Sequence, residues 1–446
     1  MVVDLRSELA GLIRRALAAV APEQVGTAVS LERPKQASHG DYSTNLALQL
    51  ARTLGRNPRE IASQLVAELS SSPLIDRAEV AGGGFVNLFL SPGAIRSVVV
   101  RVLENGAEYG RGEARARARV LLEYVSANPT GPLHVGHGRG AAFGASLANV
   151  LAFAGFEVAR EFYINDAGRQ MDILATSTWL RYLELYDVRV PFPPNGYQGD
   201  YVRDMAARIQ DAHGEHFVRD ADAVLDATPG LPDEQRDDPA AVQQREAHLD
   251  ALIANSKRLL GDDYAYVQQF ALTEQLGDAR DDLAGFGVHF DSWFSERSLY
   301  DTGMVERAIA ELEKRGHVYS QDGASWFRST AFGDEKDRVV RRENGLYTYL
   351  ASDIAYHLNK YERGYDRVID IWGADHHGYI ARLKGAVQAL GLDQERLEIA
   401  LVQFAVLYRN GQKTSMSTRA GEFVTLRELR SEVGDDAARF FYVLRK

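Results

Sequence analysis

The stretch from Val120 to Phe153 constrains the fold of this chain more than any other. It opens with an abrupt apolar run, Val120-Leu121-Leu122-Glu123-Tyr124-Val125. A loop stiffened by Pro129 and Pro132 follows, and then a helix of small residues from about Val135 to Phe153. A short apolar run bounded by turn signals reads as a buried strand, and small residues let the helix sit close to a sheet. The alternation continues with a strand over Val158–Ile164. It resumes with a helix over Tyr347–Arg363, a strand over Arg367–Trp372, a helix over Gly378–Leu390 and a strand over Leu397–Val406. That pattern predicts an α/β fold with a parallel sheet.

Three further regions flank this unit. Residues 4–20 space Leu5, Leu9, Leu12, Ile13 and Leu17 on one helical stripe; helices are expected at 42–54 and 58–69, and a strand at Phe85–Leu90 follows the Gly82-Gly83-Gly84 turn. These form a small α/β N-terminal domain, with the boundary at the polar segment 110–118. Most of 190–290, broken by Pro191-Phe192-Pro193-Pro194, reads as an inserted helical unit. The chain closes on an amphipathic helix rich in aromatics, Asp435 to Lys446, with no terminating signal, as expected of a sequence that is cut short. The domains read as 1–112, 113–410 with the insertion at about 190–290, and 411–446.

Composition excludes several chemistries. The 446 residues contain no Cys, which removes disulfides, thiolate nucleophiles and Cys-ligated metals. The formal net charge of −11 argues against a non-specific nucleic-acid binder. The charge is uneven, however: residues 211–250 hold 11 acidic and 3 basic side chains, whereas residues 1–119 hold 15 basic and 12 acidic. An acidic total can conceal a basic face, although both regions also read as solvated surface. With no apolar stretch of about 18 residues and charges spaced through the N-terminus, a cytoplasmic protein with no membrane partner is expected.

Two loops carry the chemistry. His134-Val135-Gly136-His137 opens the small-residue helix, where backbone N–H groups lack intrahelical partners and attract phosphate. Two His residues at a helix start also suit a structural role or half of a metal pair; zinc is the poorer reading, since no third ligand stands at helical spacing. The loop from Gly411 to Gly421 carries hydroxyls and basic residues able to close on polyphosphate, or is a plain polar surface loop. One in each half of an α/β sheet, the two together point to a nucleotide site.

These residues resemble the HIGH and KMSKS signatures of class I aminoacyl-tRNA synthetases. The stretches Ser126–His134, Tyr163–Gln170, Trp372–Tyr379 and Arg419–Leu426 resemble the arginyl-tRNA synthetase family in particular. His39–Asn45 and Gly84–Asn87 are similar to its additional N-terminal domain. The resemblance implies a Rossmann-like parallel-sheet catalytic domain with a helical insertion, preceded by the small α/β domain. It implies ATP-dependent ligation of L-arginine to tRNA(Arg) through an arginyl-adenylate, with Mg2+ on the polyphosphate, by an expected monomer.

By the same resemblance, His134, His137, Ser417 and Arg419 are catalytic. Pro132, His134, Gly136, His137, Gly373, Asp375, His376, Met416 and Ser417 bind ATP. Glu123, Asn128, Tyr349, Asp353 and His376 bind arginine, and Asn45, Phe85 and Asn87 contact tRNA. No protein metal site is implied. A guanidinium presents five donors in a planar fork and asks for carboxylates, which suits Asp353, with Tyr349 one turn before it. Taken without the resemblance, Asp353 reads as an ordinary helix-surface acid, and His376-His377 as a pair capping strand-end carbonyls.

Two departures from the family pattern stand out. Ser415 and Thr418 replace the KMSKS lysines, leaving Lys413 and Arg419 as the nearby cations, and Gly131 stands where some relatives place a compensating lysine. Slow ATP activation is therefore expected. The family pattern also continues past Lys446 into a helical anticodon-binding domain, so weak ligation is expected of this chain. A small-molecule nucleotidyltransferase sharing HxGH, and a silent tRNA- or arginine-binding fragment, are the alternative readings.

Overall fold

The computed structural model describes residues 5–112, 118–233, 236, 238–403, 405, 408–409, 412–413 and 423–444. The chain forms two compact units, Met1–Glu113 and Ala114–Lys446.

In the first unit, helices α1 (Leu5–Val20), α2 (Leu46–Leu54), α3 (Pro58–Leu69) and α4 (Pro92–Asn105) accompany a three-stranded antiparallel sheet. Its strands β1 (Tyr42–Thr44), β2 (Ile75–Ala81) and β3 (Phe85–Leu90) lie in the order β1-β3-β2. The stripe Leu9, Ile13 and Leu17 packs with Leu46, Ile61, Leu65 and Leu88 as the core. The helix expected at 42–54 is corrected here. Tyr42–Thr44 pair with Val86–Leu88 as a strand, Asn45 occupies the N-cap, and the helix begins only at Leu46. Gly40 explains the turn before that strand: its φ is 87°, and a Cβ there would lie 2.5 Å from the Leu88 carbonyl oxygen.

The second unit is built on a five-stranded parallel sheet. Its strands are β4 (Arg119–Glu123), β5 (Glu157–Ile164), β6 (Ser292–Ser295), β10 (Arg367–Gly373) and β11 (Leu397–Val402), in the order β11-β10-β4-β5-β6. The chain runs outward through β5 and β6, then returns to the other side of β4 with β10. The strand order therefore reverses between β4 and β10, and open α/β sheets bind ligands at the carboxyl ends of such strands. Helix α5 (Val135–Phe153) lies on this sheet. Gly144 permits its close approach, because a Cβ there would stand 2.3 Å from Cδ2 of the buried Tyr124 ring.

Beyond β5 run α6 (Arg169–Glu184), α7 (Asp200–His213), α8 (Pro239–Leu260) and α9 (Asp263–Gly285), which include the expected insertion. Asp238 caps α8 by accepting from the amides of Ala240 and Ala241, with Pro239 in the first turn. Next come β6, α10 (Met304–Lys314) and an antiparallel sheet of β7 (Val318–Gln321), β8 (Ala324–Phe327) and β9 (Arg338–Arg341), which sequence periodicity did not reveal. Four-residue strands leave too little alternation to read. Helix α11 (Tyr349–Glu362) leads into β10. The helix expected from Gly378 opens instead as a 3-10 turn, Ala374–Tyr379, and becomes α12 only over Ile380–Ala389. The strand expected to reach Val406 ends at Val402.

The last described helices are α13 (Leu426–Val433) and α14 (Asp435–Leu444). They belong to the second unit and pack on α5. Tyr442 donates from its hydroxyl to the Val135 carbonyl at 2.7 Å, and its ring covers Gly138. Its neighbours Phe440 and Phe441 remain exposed.

Candidate active site

The start of α5 is built from its own histidines. His134 is the N-cap, and its Nδ1 accepts the Gly136 amide at 3.0 Å. His137 Nδ1 accepts the His134 amide at 3.3 Å, and the two rings stack with centroids 3.8 Å apart. A neutral imidazole that accepts at Nδ1 carries its proton on Nε2, so each ring keeps an Nε2–H as its remaining donor. Both rings are held neutral. Burial lowers His134, and burial assisted by the neighbouring ring lowers His137 to about 3. Two donors and the positive end of a helix thus meet at one point, an arrangement suited to anionic oxygen.

The far side of the 411–421 loop reaches the same point. The Val135 amide donates to the Val424 carbonyl at 3.2 Å, the Leu426 amide to the Leu133 carbonyl at 2.7 Å, and Thr425 bridges His134. Met416, Ser417 and Arg419 themselves lie outside the described residues. The proline-braced loop is held from the insertion, where the Tyr201 hydroxyl donates to the Thr130 carbonyl at 2.7 Å.

A cleft of about 670 Å³ opens at the carboxyl ends of β4 and β10. Gly136 and His137 stand at one side and Tyr349 and Asp353 of α11 at the other, with Gly373 and His376 also on its wall. The floor turns sharply after β4: Val125 has φ 68° and Ser126 φ 42°. A β-branched residue rarely adopts that region, and such strain concentrates at functional sites. The turn is pinned by Ser126, whose hydroxyl donates to Glu123 at 2.8 Å and accepts the Tyr163 amide at 3.1 Å.

The comparisons with known proteins bear on this cleft. Residues 7–90 match the family described as "Arginyl tRNA synthetase N terminal domain", and residues 98–185 and 284–442 match "tRNA synthetases class I (R), catalytic domain". The chain belongs to the arginyl-tRNA synthetase family. It is 69% identical to an arginine–tRNA ligase of Azoarcus sp. (strain BH72) and 70% identical to that of Aromatoleum aromaticum. Each alignment spans all of this chain and 76% of the relative. A solved arginyl-tRNA synthetase of Campylobacter jejuni, titled putative, superposes with TM-score 0.67 at 34% identity, over 80% of this chain and 69% of that one. The Thermus thermophilus arginyl-tRNA synthetase, at 22% identity and TM-score 0.61 over 99% of this chain and 74% of that one, shares the fold. The gap in the catalytic-domain match, between 185 and 284, coincides with α7 to α9.

Most of the expected arginine residues surround the cleft. Tyr349 is 62% exposed at its mouth. Asp353 accepts from the Tyr379 hydroxyl, and burial raises its pKa. Glu123 pairs with Lys360, and Asn128 accepts from Asn165 at 3.1 Å. Pro132, His134 and Asp375 do not line the cleft, His134 meeting it only through the ring of His137; the Asp375 carboxylate turns to solvent, 3.6 Å from His376 Nε2. In the first unit, Asn45 accepts from Gln49 at 2.7 Å and Phe85 is 42% exposed. Asn87 is buried on the central strand.

Sequence reasoning missed Glu296. It follows the four-residue strand β6, is 2% exposed, and its Oε2 has no hydrogen-bond partner among the described residues. Burial pushes its pKa up to about 7; the nearby Ser352 and Tyr163 hydroxyls oppose the rise, while Asp353 and Asp166 add repulsion. An acid buried beside a second acid, with an oxygen unsatisfied, is poised for a cation. Nothing in the local sequence marks it, because its burial arises from α11 packing over β6.

Proposed function

We infer that this chain activates L-arginine with ATP and transfers it to tRNA(Arg). The observation that carries this reading is a single cleft lined by His137 and by the acids Glu123 and Asp353, with His134 stacked on His137 and the buried Glu296 near enough to Asp353 to feel its charge. In the reaction, an arginine carboxylate oxygen attacks the α-phosphorus of ATP. The bond to the α,β-bridging oxygen breaks, and pyrophosphate leaves. The 3′-terminal ribose of tRNA then attacks the adenylate carbonyl and releases AMP.

In this reading the His134 and His137 Nε2–H groups donate to phosphate oxygens as charge moves to pyrophosphate. Asp353 and Glu296 grip the guanidinium fork, Tyr349 packs beside it, and Glu123 with Asn128 hold the amino-acid head. Gly136, Gly373 and His376 border the nucleotide, and Met416, Ser417 and Arg419 close over it. Asn45 and Phe85 offer contacts to tRNA. Among the described residues no three His, Asp or Glu side chains cluster as metal ligands. In this reading Mg2+ would arrive as a companion of the triphosphate, and no step is routed through it. A monomer acting in the cytoplasm, where tRNA is charged, completes the reading.

The test is charging of tRNA(Arg) with labelled arginine by the wild-type chain and by Asp353→Asn. Arginine-dependent charging that falls at least about 30-fold in the variant supports the reading; charging indifferent to the substitution refutes it.

A further inference from the structure

At the arginine end of the cleft Glu123 is tied to three titratable groups, Lys360, Asp370 and His357, that the mechanism above does not use. Lys360 is fully buried on α11, with Nζ 2.5 Å from Glu123 Oε2 and 2.7 Å from Asp370 Oδ1. Asp370 is fully buried in β10, and its other oxygen lies 2.8 Å from His357 Nε2. His357 Nδ1 lies 2.7 Å from the Asp353 carbonyl oxygen. The chain of contacts therefore runs from Glu123 at the end of β4, through Lys360, Asp370 and His357, to the backbone of Asp353.

Stability alone does not account for this arrangement. Removing ions from water is costly, and apolar replacements of buried ion pairs are often neutral or stabilising. What the cluster does fix is position. His357 and Lys360, three residues apart on one face of α11, both hold Asp370, and Lys360 also reaches β4. The rotation and depth of α11 against β10 and β4 are thereby set, and with them the separation of Glu123 from Asp353.

We propose that Lys360 and His357 are positioning residues that fix the spacing between the two ends of the arginine site, and so select a cationic amino acid by length. The inference rests on the proposed assignment of Glu123 and Asp353 to opposite ends of arginine. A side chain one methylene longer, as in homoarginine, cannot satisfy both acids at a fixed spacing, whereas a loosened α11 accommodates it.

The experiment measures equilibrium binding of arginine, homoarginine and ATP, each alone, to the full chain and to Lys360→Met, His357→Gln and Asp370→Asn/Lys360→Met. Lys360→Met is expected to weaken arginine about 100-fold while ATP binding stays within about twofold, and to erase the preference over homoarginine. The Asp370→Asn/Lys360→Met variant leaves fewer unpaired buried charges, alters no residue assigned to arginine, and carries the test should the single variant fail to fold. His357→Gln is expected to shift the same preference in the same direction. An unchanged preference in the folded variants, or arginine and ATP weakening together, overturns the proposal. Failure of the wild-type chain to bind arginine at all overturns the proposed function and this inference with it. Wild-type binding with unaltered variants overturns the inference alone.

Discussion

Replacing Glu296 by Gln should stabilise the free protein while disabling its grip on arginine. The carboxyl is buried, and its pKa rises from an ordinary 4.5 to about 7. At about pH 8 the ionised group therefore costs the fold about 3 kcal/mol. Between the two pKa values the folded state binds more protons than the unfolded chain, so this contribution to stability falls as pH rises and is constant above about pH 7. Urea unfolding at pH 8 should show Glu296→Gln more stable than wild type by up to about 3 kcal/mol, an advantage shrinking towards zero below pH 4.5. A bound guanidinium favours the carboxylate, so arginine must expel the proton, and wild-type affinity should fall about tenfold from pH 8 to pH 6. The variant should bind arginine about 30-fold or more weakly at pH 8, with a flatter pH profile. A stability difference independent of pH, or wild-type arginine affinity in Glu296→Gln, would refute the reasoning.

Other outcomes follow from the same geometry. His137 titrates at about 3 when folded; the stability of its neutral ring, present above its ordinary 6.5, is lost as pH falls towards 3. His137→Gln should unfold less steeply in acid and slow arginine-dependent pyrophosphate exchange about 100-fold, checked by acid titration and exchange kinetics. Gly144→Ala drives a Cβ to 2.3 Å from the Tyr124 ring and should destabilise by about 1–3 kcal/mol in urea unfolding.

The parts of this site that were readable in sequence are those whose chemistry is local. His134-Val135-Gly136-His137 creates its own cap and its own neutral tautomers within four residues, and α5 spans the expected Val135–Phe153. Asp353 stood out through resemblance, since a single acid on a helix is otherwise ordinary; its burial against Tyr379 arises from α12 packing across α11. Glu296, Lys360 and Asp370 were illegible for the same reason. Each is a charged residue in or beside a strand or helix, and only the meeting of β4, β6, β10 and α11 removes it from water. The strand Tyr42–Thr44 escaped because three residues show no alternation.

The central claim is that one cleft grips a guanidinium at Asp353 and Glu296 while the α5 histidines hold phosphate. A crystal of the chain with arginine and a non-hydrolysable ATP analogue tests it most directly. The account predicts the guanidinium between those two carboxyls and phosphate oxygens within hydrogen-bonding reach of His134 and His137 Nε2. Arginine bound away from both acids, or phosphates held elsewhere than the start of α5, would contradict it.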